Sequence, residues 1–428
     1  MTTTTSSAIT SRPAAAAHLT RVCFKLGPPR LVGAELEWFT RTTDRHRPSG
    51  RPDVPRLAAA LGDHAPRTIT PASPALPLNS GSLVSVEPGG QIELSSTPFD
   101  SVDELGSALA ADERDLRALL AAADIEVVAG AADGVRPPHR ILVSDRYRSM
   151  EDAFARRGIF GSLMMCNTAA VQVALDAGVD ADHAVSRWTR LHTIGPAMTA
   201  AFANSPRLHG ADDERWASQR MRAWLGTDRT RIPPHAQTIE DYADWVLSVP
   251  LLCVRCADDH WFTPPAGATF ADWMDGALDS EVGRRPDETD LAYHVTTVFP
   301  MVRPQGYLEV RYLDGQPENL WRVPIAAVAA LMSDDAVGAE ADAIAAPTAD
   351  AWLRAAQCGL DDAEVRGVAA DLLTLAADVT PAGIDRDLVA AAAARCRRGE
   401  PPVAQSEPPV AQSDPTLSQS HRQESVSR

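Results

Sequence analysis

Lysine is almost missing. The chain has 428 residues and one lysine, Lys25; every other basic side chain is Arg. A guanidinium is not usefully deprotonated, so Schiff-base and lysine-base chemistry have almost no candidate. No Gly-Lys-Ser/Thr occurs, which removes a Walker A phosphate loop. Cysteine is sparse: six are scattered (Cys23, Cys166, Cys253, Cys256, Cys358, Cys396). That argues against a disulfide framework and for a reducing, cytoplasmic compartment. No run of about 18 apolar residues appears, so no membrane-spanning helix is expected. Positive charge is also short, 40 Lys+Arg against 57 Asp+Glu, a net of −17. That balance argues against nucleic acid and anionic membrane as partners.

What is present suits a folded chain. Hydrophobic residues make up 45 %, enough for a sizeable core. Residues 1–17 are low-complexity and are expected to be disordered. The first 34 residues contain no acid and superficially resemble a transit peptide; a frayed N-terminus is the plainer reading. Residues 400–406 read Glu-Pro-Pro-Val-Ala-Gln-Ser and are repeated over 407–413, so 399–428 reads as a tail. One folded domain is therefore expected over 18–398, its Ala-rich part from about 335 to 398 helical.

Strands are predicted over 31–39, 82–87, 91–96, 125–129, 165–175, 294–299 and 305–312. Helices are predicted over 101–123, 181–203, 213–225, 238–249, 269–278 and 318–332. Strands and long helices do not alternate one-for-one, which disfavours a doubly wound parallel sheet. The fold class expected is α+β: a curved, mostly antiparallel sheet with flanking helices.

The chemistry lies in acids set inside apolar strands. In Leu31-Val-Gly-Ala-Glu-Leu-Glu-Trp-Phe39, Glu35 and Glu37 share one face while Leu36 and Trp38 share the other. Glu87 precedes the bend Pro88-Gly89-Gly90, after which Gln91 and Glu93 alternate with Ile92 and Leu94. Tyr307, Glu309 and Arg311 share a face, and Gln172 stands opposite the valines of its strand. A lone Glu-x-Glu strand is most simply a solvated sheet face. Recurrence on several strands points instead to carboxylates gathered for a hard divalent cation. Unpaired carboxylates on a covered face carry a large desolvation cost that a cation removes.

Arginines supply the counterpart. Arg222, Arg229 and Arg231 form a cluster suited to phosphate or carboxylate, or else a surface salt-bridge cluster with Asp228. Arg311, two residues from Glu309, is placed to hold a substrate carboxylate. Carboxylates, arginines and no P-loop together suggest phosphoryl transfer by another route, such as activation of a carboxylate as an acyl phosphate for amine attack.

These segments resemble the plant-type glutamate–cysteine ligases, within the glutamine-synthetase-like carboxylate–amine ligases. The matching stretches are Gly33-Ala-Glu-Leu-Glu-Trp-Phe39, Val86-Glu-Pro-Gly-Gly-Gln-Ile-Glu-Leu-Ser95 and Met164-Met-Cys-Asn-Thr-Ala-Ala-Val-Gln-Val-Ala-Leu-Asp176. They continue through Ala201-Phe-Ala-Asn-Ser-Pro206, Arg222 to Arg231, Asp241 to Pro250 and Tyr307-Leu-Glu-Val-Arg-Tyr-Leu-Asp314, covering about 30–330 in order. The Ala/Arg-rich composition with one Lys looks like that of a high-GC bacterium, and within the resemblance the form looks most like the actinobacterial members assigned to ergothioneine biosynthesis. The resemblance implies a glutamine-synthetase-like catalytic domain. It implies ATP-dependent joining of the L-glutamate γ-carboxylate to the L-cysteine amine, through a γ-glutamyl phosphate, with ADP and phosphate released. It implies Mg²⁺ or Mn²⁺ on Glu35, Glu37, Glu87, Glu93 and Glu309, with Gln172 beside the metals. Arg311, with Tyr307, would hold substrate, and Arg222, Arg229 and Arg231 would neutralise phosphates. The expected partners are these small molecules alone, in a monomer or small homo-oligomer. A γ-glutamyl ligase with another amine acceptor, or a non-catalytic binder of amino acid or metal, stays open at this point.

Cys253-Val-Arg-Cys256, with His260 after it, lacks a fourth zinc ligand and reads as structural. His192, His209 and His294 read as packed or surface residues, and Trp188, Trp216 and Trp224 as core.

Overall fold

The computed structural model of the protein describes residues 8–9, 11–43, 50–211, 214–233, 238–256 and 261–402. His260 and the repeat tail beyond residue 402 lie outside these.

Seven strands make the main sheet: β1 (Val32–Thr42), β2 (Leu83–Val86), β3 (Ile92–Ser95), β4 (Ile125–Val128) and β5 (Ala170–Leu175), then two more near the end of the domain. A separate small ribbon pairs β6 (Val254–Arg255) with β7 (Trp261–Phe262). The last two strands of the sheet are β8 (Val302–Pro304) and β9 (Leu308–Asp314). The order is β2-β3-β1-β5-β9-β8, with β4 also paired to β1, and every pairing is antiparallel. The expected α+β class with an antiparallel sheet is what is found.

One face of the sheet is apolar. Leu36, Val84, Ile92, Leu94, Val171, Val173, Leu308 and Val310 are buried there. The helices Val102–Ala121 and Arg322–Leu331 pack on this side of the sheet, and Ala363–Val379 and Ile384–Arg397 pack on each other and on Arg322–Leu331. The opposite face carries the acids. Among the described residues no helix is long and apolar enough to cross a membrane.

Three expectations need correction. Residues 12–23 are a helix rather than part of a disordered arm. Ser11 caps it, Pro13 sits in its first turn, and Ala15, Leu19 and Cys23 bury one stripe at four-residue spacing. Low complexity concealed that period. The strand expected over 294–299 is instead the end of the helix Glu288–Val295 and the turn after it. Asp287 and Asp290 form a reciprocal capping box that starts this helix and outweighs the β-branched run Val295-Thr-Thr-Val298. Likewise, the helix Phe160–Cys166 takes the beginning of the strand expected from 165.

Candidate active site

The period-two alternation of the strands sets the site. In register, Glu37 lies opposite Glu93, Glu35 opposite Gln172, and Ser85 opposite Glu93. Glu309 lies opposite Ala174 on β5 and opposite Arg303 on β8. Between Val171 and Val173 the β5–β9 pairing shifts, so that two β9 residues, Arg311 and Tyr312, stand across from Gln172. Such a bulge re-aims a side chain: Arg311 turns to the acidic face while Tyr312 is buried behind.

Glu87 is carried by the turn into β3. Gly90 has φ +87°, and a Cβ on Gly89 would lie 2.4 Å from the Cys166 carbonyl oxygen. Two glycines are therefore required here, one for backbone conformation and one for close approach. Gln91 is buried and donates from Nε2 to the Thr168 carbonyl (2.8 Å), locking the turn to the neighbouring segment.

The carboxylates differ in their surroundings. Glu37 accepts from Gln172 Nε2 and from the Ala170 amide, both at 2.9 Å. Glu93 accepts from Ser85 Oγ at 2.7 Å and Ser95 Oγ at 3.2 Å. No described hydrogen bond reaches the carboxylate of Glu35 or Glu87. Burial, then the neighbouring glutamates, push Glu35 well above the ordinary carboxylate range, Glu37 up to about 7 and Glu87 up to about 8. Burial raises Glu93 too, against the pull of Ser85 and Ser95. Like charges on one covered face resist joint ionisation.

Glu309 is the exception. Its carboxylate meets Arg303 at 2.8 Å and Arg311 at 2.6 Å and is 2 % exposed. Burial pushes it up, but the two guanidinium groups outweigh burial and hold it below the usual range. Sequence reasoning expects Glu309 among the metal ligands; in the structure both of its oxygens accept from arginine. Tyr307 stands on the same face, half-buried.

The expected arginine cluster divides. Arg222 donates to the Ala211 carbonyl (2.8 Å) and lies over the rings of Phe160 and Trp216. Arg231 is 1 % exposed, paired with Asp228 at 3.2 Å and donating to the carbonyls of Pro250 and Thr297. Arg229 is exposed. None of the three is among the charges that act most on the glutamates. Those are Arg311, Arg303, Arg220 and Arg146.

Arg220, Arg303 and Arg146 were missed by sequence reasoning. Arg220 lies on the helix Gln219–Thr227, stacks on Trp224 and donates to the Arg311 carbonyl at 2.6 Å. Trp224 also carries Arg311 over its ring. Asp314 anchors the start of this helix, accepting from Ser218 Oγ (2.8 Å), Ser205 Oγ (2.7 Å) and the Asn204 amide (2.9 Å). Arg303 could have been found: Pro304-Gln305-Gly306 is a turn signal, with a hairpin partner just before it. Arg146 sits on the helix Asp145–Ala155, capped by Ser144, and donates to Thr296.

Among the described residues, no three His, Cys, Asp or Glu side chains are gathered closely enough to grip one metal ion as they stand. In kind the donors fit a hard cation: carboxylate oxygens on one face, plus the buried Oε1 of Gln172, which has no partner. The cysteines do not compete for such a role. All six are free thiols, and Cys253 packs against the Tyr293 hydroxyl (3.4 Å).

The glutamate–cysteine ligase family 2 (GCS2) model matches residues 31–400. The glutamate–cysteine ligase EgtA of Mycolicibacterium smegmatis is 37 % identical over 391 residues, covering 89 % of this chain and 87 % of that one. The EgtA of Mycobacterium tuberculosis is 38 % identical over 383 residues, covering 87 % and 84 %. The chloroplastic glutamate–cysteine ligase of Arabidopsis thaliana is 30 % identical over 315 residues, covering 69 % and 59 %.

Proposed function

The chain belongs to the glutamate–cysteine ligase family 2, and from that premise we propose that it joins the γ-carboxylate of L-glutamate to the amine of L-cysteine at the cost of ATP. A γ-carboxylate oxygen attacks the γ-phosphorus of ATP, ADP leaves, and a γ-glutamyl phosphate forms. The cysteine amine then attacks the acyl carbon, loses a proton, and expels phosphate to give γ-L-glutamyl-L-cysteine. The observation that carries the reading is the set of half-buried glutamates from β1, the β2–β3 turn and β3 on one sheet face, bordered by arginines.

Each group has a part. Glu35, Glu37, Glu87 and Glu93, with Gln172 Oε1, would hold Mg²⁺ or Mn²⁺, which when bound supplies positive charge beside the phosphates. Arg311 and Arg303 present fixed donors for a substrate carboxylate, with Glu309 aligning both and Tyr307 at their edge. Arg220 brings a cation to the Glu37 side. Arg229 is left for phosphate, while Arg222 and Arg231 brace the segments on either side of it. Six free thiols suit a reducing, cytoplasmic setting, and the product suits a low-molecular-weight thiol pathway such as that of ergothioneine.

Purified protein with ATP, Mg²⁺ and L-glutamate should release phosphate in proportion to added L-cysteine. Silence from folded protein would overturn the reading. Release driven by another amine in place of cysteine would move the assignment to a different γ-glutamyl ligase.

A further inference from the structure

Beyond Glu35 the acidic face ends in a cavity of about 490 Å³, within the range of small-molecule sites. It lies between the start of β1, the end of β5 and the β8–β9 turn. Of the five sheet glutamates only Glu35 lines it. Resting on the ligase reading, we propose that this cavity takes the amine-bearing amino acid, with Lys25 as the counter-charge to its α-carboxylate.

Three observations carry this. First, the floor is made small. Gly33 and Ala174 pair across β1 and β5, on the face that carries Glu35 and Gln172 one step along. A Cβ on Gly33 would meet Ser96 Oγ at 3.5 Å and Ala174 Cβ at 3.7 Å, ordinary contacts. Packing does not demand glycine there; what its missing side chain leaves is room. Second, Lys25 is exposed, lines the cavity and enters none of the described ion pairs, in a chain with an excess of acids. The other acid of the lining, Asp176, is engaged by the Arg30 and Leu31 amides (2.9 and 2.8 Å). Third, the lining suits an amino acid with a small apolar or thiol side chain. Ser96 Oγ accepts from the Ala34 amide (3.0 Å), so its proton is left to donate. Leu31 and Pro98 give an apolar wall. Lys25 and Glu35 line the same cavity, so the proposal assigns the ligand's carboxylate to Lys25 and its amine to the side of Glu35, at the border of the glutamate array.

The test compares wild type with Lys25→Gln, Lys25→Arg and Ala174→Leu, by KM for each substrate and by equilibrium dialysis of labelled L-cysteine. Lys25→Gln should raise KM for cysteine about tenfold, with KM for glutamate and ATP moving less than about twofold. Lys25→Arg should recover most of the loss. Ala174→Leu should raise KM for cysteine while thermal denaturation stays unchanged. An unmoved cysteine KM, or an equal rise for glutamate, overturns the proposal. If wild type releases no cysteine-dependent phosphate, the ligase reading falls, and dialysis then decides. Cysteine binding that Lys25→Gln weakens upholds the cavity; no binding at all overturns it.

Discussion

Glu87 and Glu309 are both acids on one sheet face, yet the fold treats them oppositely. Glu87 has no described hydrogen-bond partner, and burial with its neighbours Glu93 and Glu37 pushes it up to about 8. Gln has its shape without the ionisation problem. Glu87→Gln should therefore leave the metal-free protein as stable as before, or slightly more so, while abolishing ligation. Glu309 is the anion between Arg303 and Arg311, whose side chains are 15 % and 13 % exposed. Removing its charge strands two guanidinium groups and should cost about 3–5 kcal/mol. Urea denaturation of the two variants without metal separates them; equal losses would contradict the distinction. This is also where the sequence stops being legible. Alternation along each strand puts Glu35 with Glu37, and Glu309 with Arg311, on one face of its own strand. Which of them is neutralised depends on Arg303, whose pairing with Glu309 across the β8–β9 hairpin is a contact in space that alternation along one strand does not give.

Elements show the same boundary. The turn after Glu87 was readable, because Pro-Gly-Gly leaves the chain little choice. That Gly89 must be glycine for closeness to Cys166 was not, since the contact joins segments far apart in sequence. Gly89→Ala should destabilise by about 1–3 kcal/mol, as overpacking does, and should lower activity by displacing Glu87 and Glu93. Gly367, in the helix Ala363–Val379, has nothing within 4 Å of a built Cβ. Gly367→Ala should stabilise by about 1 kcal/mol, the difference in helix propensity. Paired thermal melts check both signs. On the helix Gln219–Thr227, the period places Arg220 with Trp224 and Arg222 on another side. It does not say which side meets the sheet, and Asp314, which fixes that, lies far along the chain.

At the scale of the whole molecule, the fold class followed from composition and order of elements, whereas the end of the helix Glu288–Val295 and the turn after it were misread as a strand. That helix carries a group with a global consequence. His294 is 3 % exposed, stacks on Phe270 at 5.3 Å and meets the Val246 carbonyl through Nε2 at 2.9 Å. It ties its helix to Ile239–Ser248 and Phe270–Asp275. Burial pushes it down to about 4 from an ordinary 6.5, with Arg231 adding repulsion and the Val246 bond opposing. A depressed folded value means that the unfolded chain binds the proton first as pH falls. The stabilising contribution is therefore complete above pH 6.5 and is lost progressively toward pH 4, amounting to about 3 kcal/mol. The raised glutamates act with the opposite sign, since the unfolded chain releases their protons first as pH rises. The His294 effect is thus read by difference. His294→Gln keeps a donor for the Val246 carbonyl and removes the titration. Urea denaturation of both proteins at several pH values should show wild type losing stability relative to the variant from pH 6.5 downward, and a constant gap above it. A gap that stays constant down to pH 4 would mean that His294 takes up its proton equally in the folded and unfolded chain, contrary to its burial.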